Sequence, residues 1–190
     1  MTTELEAVNA LLDAVGQKGV AALPVPAANA DATMAYTILS RVYREVLSSA
    51  WGFNRESIDL VAASSALTLP SNTLSCLVVS QGAARDFVLR GLVLYDREAR
   101  TATITNGETA TVVATLLLPW TDLMEHARQY IFVRAARIFQ DRIVGSDALH
   151  KYQVQDELAA YANLQQADAA IQGRTVLLAA GVFQALERTC

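Results

Sequence analysis

The sequence predicts an α+β protein: a helical bundle of about four helices with an inserted antiparallel β-sheet, followed by an apolar C-terminal segment. Three observations lead there. Before Trp51 and after Pro119, apolar residues recur at i, i+3, i+4 intervals, the period that gives a helix one buried stripe. From Ile58 to Trp120 that period yields to short runs of Leu, Val, Thr and Phe, broken by Pro70-Ser71-Asn72, Gly82, Gly91 and Asn106-Gly107, the composition of strands and turns. No internal repeat or low-complexity linker divides the chain, so residues 1–173 are expected to form one domain and 174–190 an arm.

Thr3 and Glu6 stand at capping-box spacing, and Leu5, Val8, Leu11, Leu12 and Val15 fall on one stripe that stops at Gly16, so the first helix is expected over 3–16. After the connector Leu23-Pro24-Val25-Pro26, the positions of Met34, Ala35, Ile38, Leu39, Val42, Val46 and Leu47 predict a second helix over 31–49. Gly52, within Trp51-Gly52-Phe53-Asn54, is the expected positive-φ residue at its exit. In the β-rich insertion, 57–118, Asn106-Gly107 separates Thr101–Thr105 from Glu108–Val113 and predicts a type I′ hairpin, which needs two successive residues at positive φ.

The third helix is expected over 121–143, behind Pro119 and ahead of Gly145. Leu123, Ala127, Tyr130, Ile131, Ala135 and Ile138 make one broad stripe, while Phe132, Val133, Ala136, Phe139, Ile143 and Val144 spread apolar surface around most of the rest. A helix patterned this way is buried on more than one side. Arg134 falls close to the centre of the broad stripe, so it must snorkel to water or meet an acidic partner, and Arg137 and Asp141 have i, i+4 pairing distance. All three read as structural ion-pair residues, since a charge that deep must be neutralised for stability alone. A fourth helix, rich in Ala and Gln, is expected over 147–171, before Gly173. The stretch from Arg174 to Arg188 is apolar on nearly every face, and chain ends of that kind need a cover.

Composition removes several functional classes. With 53% hydrophobic and 18% charged residues the chain is too apolar for intrinsic disorder, and its longest apolar run, Val176 to Phe183, is too short to span a bilayer. The acidic start, Met-Thr-Thr-Glu-Leu-Glu, lacks the features of a secretory signal, so synthesis in a cytoplasm is expected. A net charge of −4 does not favour a phosphate backbone as partner. Cys76 sits in Leu74-Ser75-Cys76-Leu77-Val78-Val79 as a small buried hydrophobe, and Cys190 is the last residue, so neither a disulfide framework nor a zinc site is expected.

No Gly-rich phosphate loop or Gly-x-Ser-x-Gly elbow occurs. His126 has no second histidine four residues away, and the Asp147–His150 pair, at i, i+3, has no accompanying nucleophile. Trp51, Phe53 and Trp120 could line a platform for a sugar or base, but aromatics bracketing a helix-to-sheet junction are read as core anchors. The expectation is therefore of no catalytic residue, no cofactor and no metal.

Several strings, in order, are similar to the tail tubular protein A family, the head-to-tail adaptors of tailed bacteriophages. They are Ala7-Val8-Asn9-Ala10-Leu11-Leu12-Asp13-Ala14-Val15-Gly16 with Leu23-Pro24-Val25; Val46-Leu47-Ser48-Ser49-Ala50-Trp51-Gly52-Phe53-Asn54; Leu94-Tyr95-Asp96-Arg97; and Tyr130-Ile131 through Ala135-Ala136-Arg137-Ile138-Phe139-Gln140-Asp141-Arg142 to Gly145-Ser146. They cover most of the chain up to Gly173. Asp122-Leu123-Met124-Glu125 departs from the family's acidic-Leu-Pro-Glu run, which bears on where the third helix starts.

The resemblance implies a structural ring, a twelvefold homo-oligomer, at the head–tail junction of a virion. Its partners would be the portal protein above and the tail nozzle or next tail protein below, with DNA passing through without sequence-specific binding. On physical grounds the C-terminal arm, through Leu178, Val182, Phe183 and Leu186, is expected to bind the portal or an adjacent subunit. The alternatives are a neck or head-completion adaptor of a long-tailed phage, a cell-wall polysaccharide hydrolase using paired carboxylates, and a plain helical oligomer.

Overall fold

A computed structural model describes residues 2–23, 29–81 and 86–178. The chain forms two compact units, one from Met1–Val46 with Pro119–Cys190, the other from Leu47–Leu118. It is α+β, with four α-helices and five antiparallel strands among the described residues.

The first unit is helical. Helix α1 spans Glu4–Asp13. The Thr3 hydroxyl accepts from the Glu6 amide at 3.1 Å and the Glu6 carboxylate accepts from the Thr3 amide at 2.7 Å, which satisfies two of the amides that a helix start leaves open. Its exit is a Schellman turn: the Gln17 amide donates to Leu12 O and the Gly16 amide to Asp13 O, with Gly16 at φ +72°. Ala7, Val8, Leu11 and Leu12 are its buried face. Asn9 clamps the returning chain, its Oδ1 accepting from the Val20 amide and its Nδ2 donating to Val20 O.

Helix α2 spans Ala30–Leu47 and is capped by Asn29, whose side chain accepts from the Ala32 amide at 3.0 Å. Ile38, Leu39, Val42 and Val46 are buried as the period requires, whereas Met34, assigned to the same stripe, is 37% exposed. Helix α3, Glu125–Ile143, starts four residues later than its sequence pattern indicates. Ahead of it lies a short 3₁₀ turn, Trp120–Asp122, whose carbonyls at Trp120 and Thr121 accept from a side chain of α3. Gly145 at φ +64° ends α3, and Ser146 caps helix α4, Asp147–Leu178. Helix α4 runs through Gly173, where a stop was expected; a glycine inside a helix costs about 1 kcal/mol, which a helix of 32 residues absorbs. Beyond Gly173, no side chain falls within the described set, so Leu178 is placed only as the last residue of α4, and Val182, Phe183 and Leu186 lie outside the described residues.

The second unit is β-rich. Strands β1 (Arg55–Val61), β5 (Thr109–Leu116) and β2 (Thr73–Gln81) form an antiparallel sheet in the order β1-β5-β2. Strands β3 (Phe87–Arg90) and β4 (Val93–Asp96) form a separate hairpin. Its two-residue loop, Gly91-Leu92, has Gly91 at φ +64°, as a type II′ turn needs. Leu60, Leu67, Leu69, Leu94, Ile104 and Val112 are at the centre of the core.

Two sequence expectations fail in this unit. The Asn106-Gly107 hairpin does not form: Thr101–Thr105 is not a strand, and β5 pairs with β1 and β2, Thr109 opposite Val61. A turn does occur there, since the Glu108 amide donates to Thr105 O, but only Gly107 takes positive φ, at +88°. Asn106 instead accepts the Ser65 amide, 2.7 Å away, and Ile104 donates its amide to Ser65 O and buries its side chain in the core. Tertiary partners outcompete the local hairpin. At the exit of α2 the left-handed residue is Ala50, φ +55°, not Gly52, which opens a 3₁₀ turn over Gly52–Asn54.

Candidate functional site

Several charged side chains of the helical unit converge on one network. Arg134 of α3 pairs with Glu45 of α2 and, at 3.1 Å, with Glu157 of α4, and it also donates to the Tyr130 hydroxyl. Arg137 pairs with the other Glu157 oxygen and lies 3.3 Å from Asp141, which receives His150 Nδ1 at 2.9 Å. The three residues singled out in the sequence thus share one cluster whose hub is Glu157, 9% exposed. Burial works against the charge on Arg134, but the Tyr130 hydroxyl and the two carboxylates outweigh it and hold its pKa above the ordinary arginine value. His150 meets Asp141 on α3 and not the Asp147 of its own first turn. Periodicity could not supply Glu45 and Glu157, which come from other helices.

Arg128 is a buried cation that the sequence pattern does not mark. It is 2% exposed, with Nε donating to Trp120 O at 3.0 Å and a terminal nitrogen to Thr121 O at 2.7 Å, and it lies 3.4 Å from Glu125. It completes the carbonyls of the 3₁₀ turn ahead of α3, so its role is to set the entry to that helix. Trp120 donates its indole N–H to Thr2 O and tilts against Tyr43, 6.0 Å between centroids. Burial among these groups pushes the Tyr43 phenol up to about 12. Trp51 and Phe53 stack on each other in the β-rich unit, so the three aromatics considered as a platform belong to two separate settings.

Asn54 is the counterpart in the β-rich unit. Fully buried, it donates through Nδ2 to Leu47 O at the end of α2 and to Leu116 O at the end of β5.

Among the described residues no group of three or more His, Cys, Asp or Glu could hold a metal ion. Cys76 is a free thiol whose pKa is pushed up by burial, away from a nucleophilic thiolate. His126, Gln129, Val133, Asp156 and Asn163 line an open groove of about 290 Å³ between α3 and α4, and its lining includes no Ser, Cys or Lys nucleophile. No helix of the described residues is long and apolar enough to cross a membrane.

What remains is uncovered apolar surface. On α4, Tyr152 is 69% exposed and Leu158 63%, with Leu149 and Ile171 also open, and on the sheet Val61, Leu77 and Val79 each exceed 60%. Exposed apolar side chains of this size are a mark of surfaces that meet a partner. The chain belongs to the tail tubular protein family, whose family model matches residues 5–174. It is a structural component of a bacteriophage tail and hence of the virion. No curated protein matches the chain.

Proposed function

We propose that this tail protein forms a closed ring, twelvefold, that joins the portal protein to the tail nozzle or next tail protein and serves as a conduit for DNA ejection. The observation that carries the reading is the apolar surface of α4, where Tyr152 and Leu158 stand more than 60% exposed in a single copy. Side chains of that size are covered when each subunit packs against its neighbours in a cyclic assembly. The net charge of −4 supports the conduit: repeated around a ring, it gives a wall that repels phosphates, so DNA slides without sequence-specific binding. The function is positional, with no cofactor and no catalytic step.

In this reading residues 1–173 act as one adaptor body and 174–190 as the arm that reaches the portal or an adjacent subunit through Leu178, Val182, Phe183 and Leu186. Particle mass and negative-stain imaging, with and without portal, test the proposal. Rings or portal-capped rings are expected; a lone particle at high concentration, indifferent to portal, refutes it. Deleting the residues after Gly173 is expected to leave folded protein that no longer joins the portal, and unchanged joining refutes the arm.

A further inference from the structure

We propose that the open edge of β2 is where a second copy of this chain adds an extended segment, so that neighbours in the ring are joined by main-chain pairing. The inference rests on the ring reading and names the surface that makes the ring.

Strand β2 is the last strand of the β1-β5-β2 sheet; its first amide, Thr73, donates to Pro70 O, and over Ser75–Val79 the side away from β5 has no main-chain partner among the described residues. Strand β3 lies beside it but pairs only with β4. Between the two is a slot of about 300 Å³, lined by Cys76, Leu77 and Val78 of β2, by Phe87, Val88 and Leu89 of β3, and by Asp86, whose charge is paired with Arg97. Cys76, Val78, Phe87 and Leu89 also pack against the core, so the floor of the slot is apolar. A strand edge without charge, beside such a floor, fits the backbone of an extended peptide.

The other edge of the same sheet shows what protection looks like. Strand β1 carries Arg55, Glu56 and Asp59, the charges by which proteins prevent unwanted strand addition. Strand β2 has no charged residue in its nine, and Leu77 and Val79 stand 63% and 61% exposed. A long, uncharged edge left bare, with large apolar side chains exposed beside it, templates aggregation, so a stable particle has to cover it.

A second copy is the occupant that meets this requirement. In a cyclic ring each subunit presents one patch to a different patch of the next, and closure leaves no copy with a bare edge. Copies with a net charge of −4 repel one another. A nine-residue stretch without charge is where they can approach with no like-charge pair, held by hydrogen bonds that do not depend on charge.

The test uses the full-length chain, with and without portal, and reads assembly by sedimentation and amide exchange by mass spectrometry. In assembled wild type, exchange across Ser75–Val79 is expected to slow at least about tenfold relative to the lone subunit. Leu77→Lys with Val79→Lys is expected to abolish ring formation while leaving circular dichroism unchanged. Val61→Lys, an equally exposed position on β1, serves as the control and is expected to assemble. Rings whose β2 amides exchange at the lone-subunit rate, or rings that form undiminished in the double variant, overturn the edge proposal and leave the ring standing. Loss of rings in Val61→Lys to the same degree assigns the effect to the exposed sheet face and also overturns it. Wild type that never forms rings, even on portal, removes the ring reading itself.

Discussion

Replacing Asn54 by Ala removes a side chain that ties Leu47 at the end of α2 to Leu116 at the end of β5. The side chain is fully buried and donates to Leu47 O at 2.8 Å and Leu116 O at 3.0 Å. Each buried hydrogen bond contributes about 1 kcal/mol, and a carbonyl left without a donor costs a further 1 kcal/mol or so. One effect opposes these: Asn54 Oδ1 has no hydrogen-bond partner among the described residues, and removing it recovers about 1 kcal/mol. The balance is a loss of about 2–3 kcal/mol. With a urea dependence of about 2 kcal/mol per molar for a chain of this size, the midpoint moves down by about 1–1.5 M. Urea unfolding followed by circular dichroism measures it. A shift below about 0.5 M, or about 1 kcal/mol, would show that the carbonyls at these two chain ends find other donors, and the role assigned to Asn54 would be wrong.

Ala50 sits at φ +55°, where a Cβ costs about 1–2 kcal/mol. Ala50→Gly is therefore expected to stabilise by about 0.5–1 kcal/mol after the added freedom of the unfolded chain is subtracted, seen as a higher melting temperature. Glu157→Gln leaves Arg134 with Glu45 and Arg137 with Asp141 but empties the hub; a loss of about 2 kcal/mol is expected, and a double-mutant cycle with Arg137→Gln should return a coupling above about 1 kcal/mol. At the N-terminus, the Thr3 amide and then the Thr3 hydroxyl hold the Glu6 carboxyl below its ordinary 4.5. A depressed folded value means that this contribution is complete above about pH 4.5 and lost as pH falls through the folded pKa. Carboxyl resonances followed by NMR should place the Glu6 midpoint below 4.5, and in Thr3→Ala it should return towards that value.

Features of the fold that depend on neighbours in the chain were readable from the residues alone. Thr3 and Glu6 cap α1 because a capping box needs only three-residue spacing, Gly16 ends it because the turn needs positive φ, and Arg137 reaches Asp141 because a helix brings i and i+4 together. The alternation between helical and strand patterns likewise marks the four helices and the β-rich insertion between the second and third.

The tertiary structure decided what depends on distant partners. Asn106-Gly107 has the composition of a hairpin turn, but strand pairing is selected by core burial: β5 gains β1 and β2 as partners, and Ile104 gains the core. Helix periodicity showed that Arg134 needed neutralising without naming Glu45 or Glu157, and it gave no sign that Arg128 would be buried on the carbonyls of a preceding turn. The physical reason is the same in each case. Local spacing sets backbone geometry over a few residues, whereas the choice among competing long-range contacts is made only when the whole chain has to bury its apolar surface and satisfy its polar groups at once.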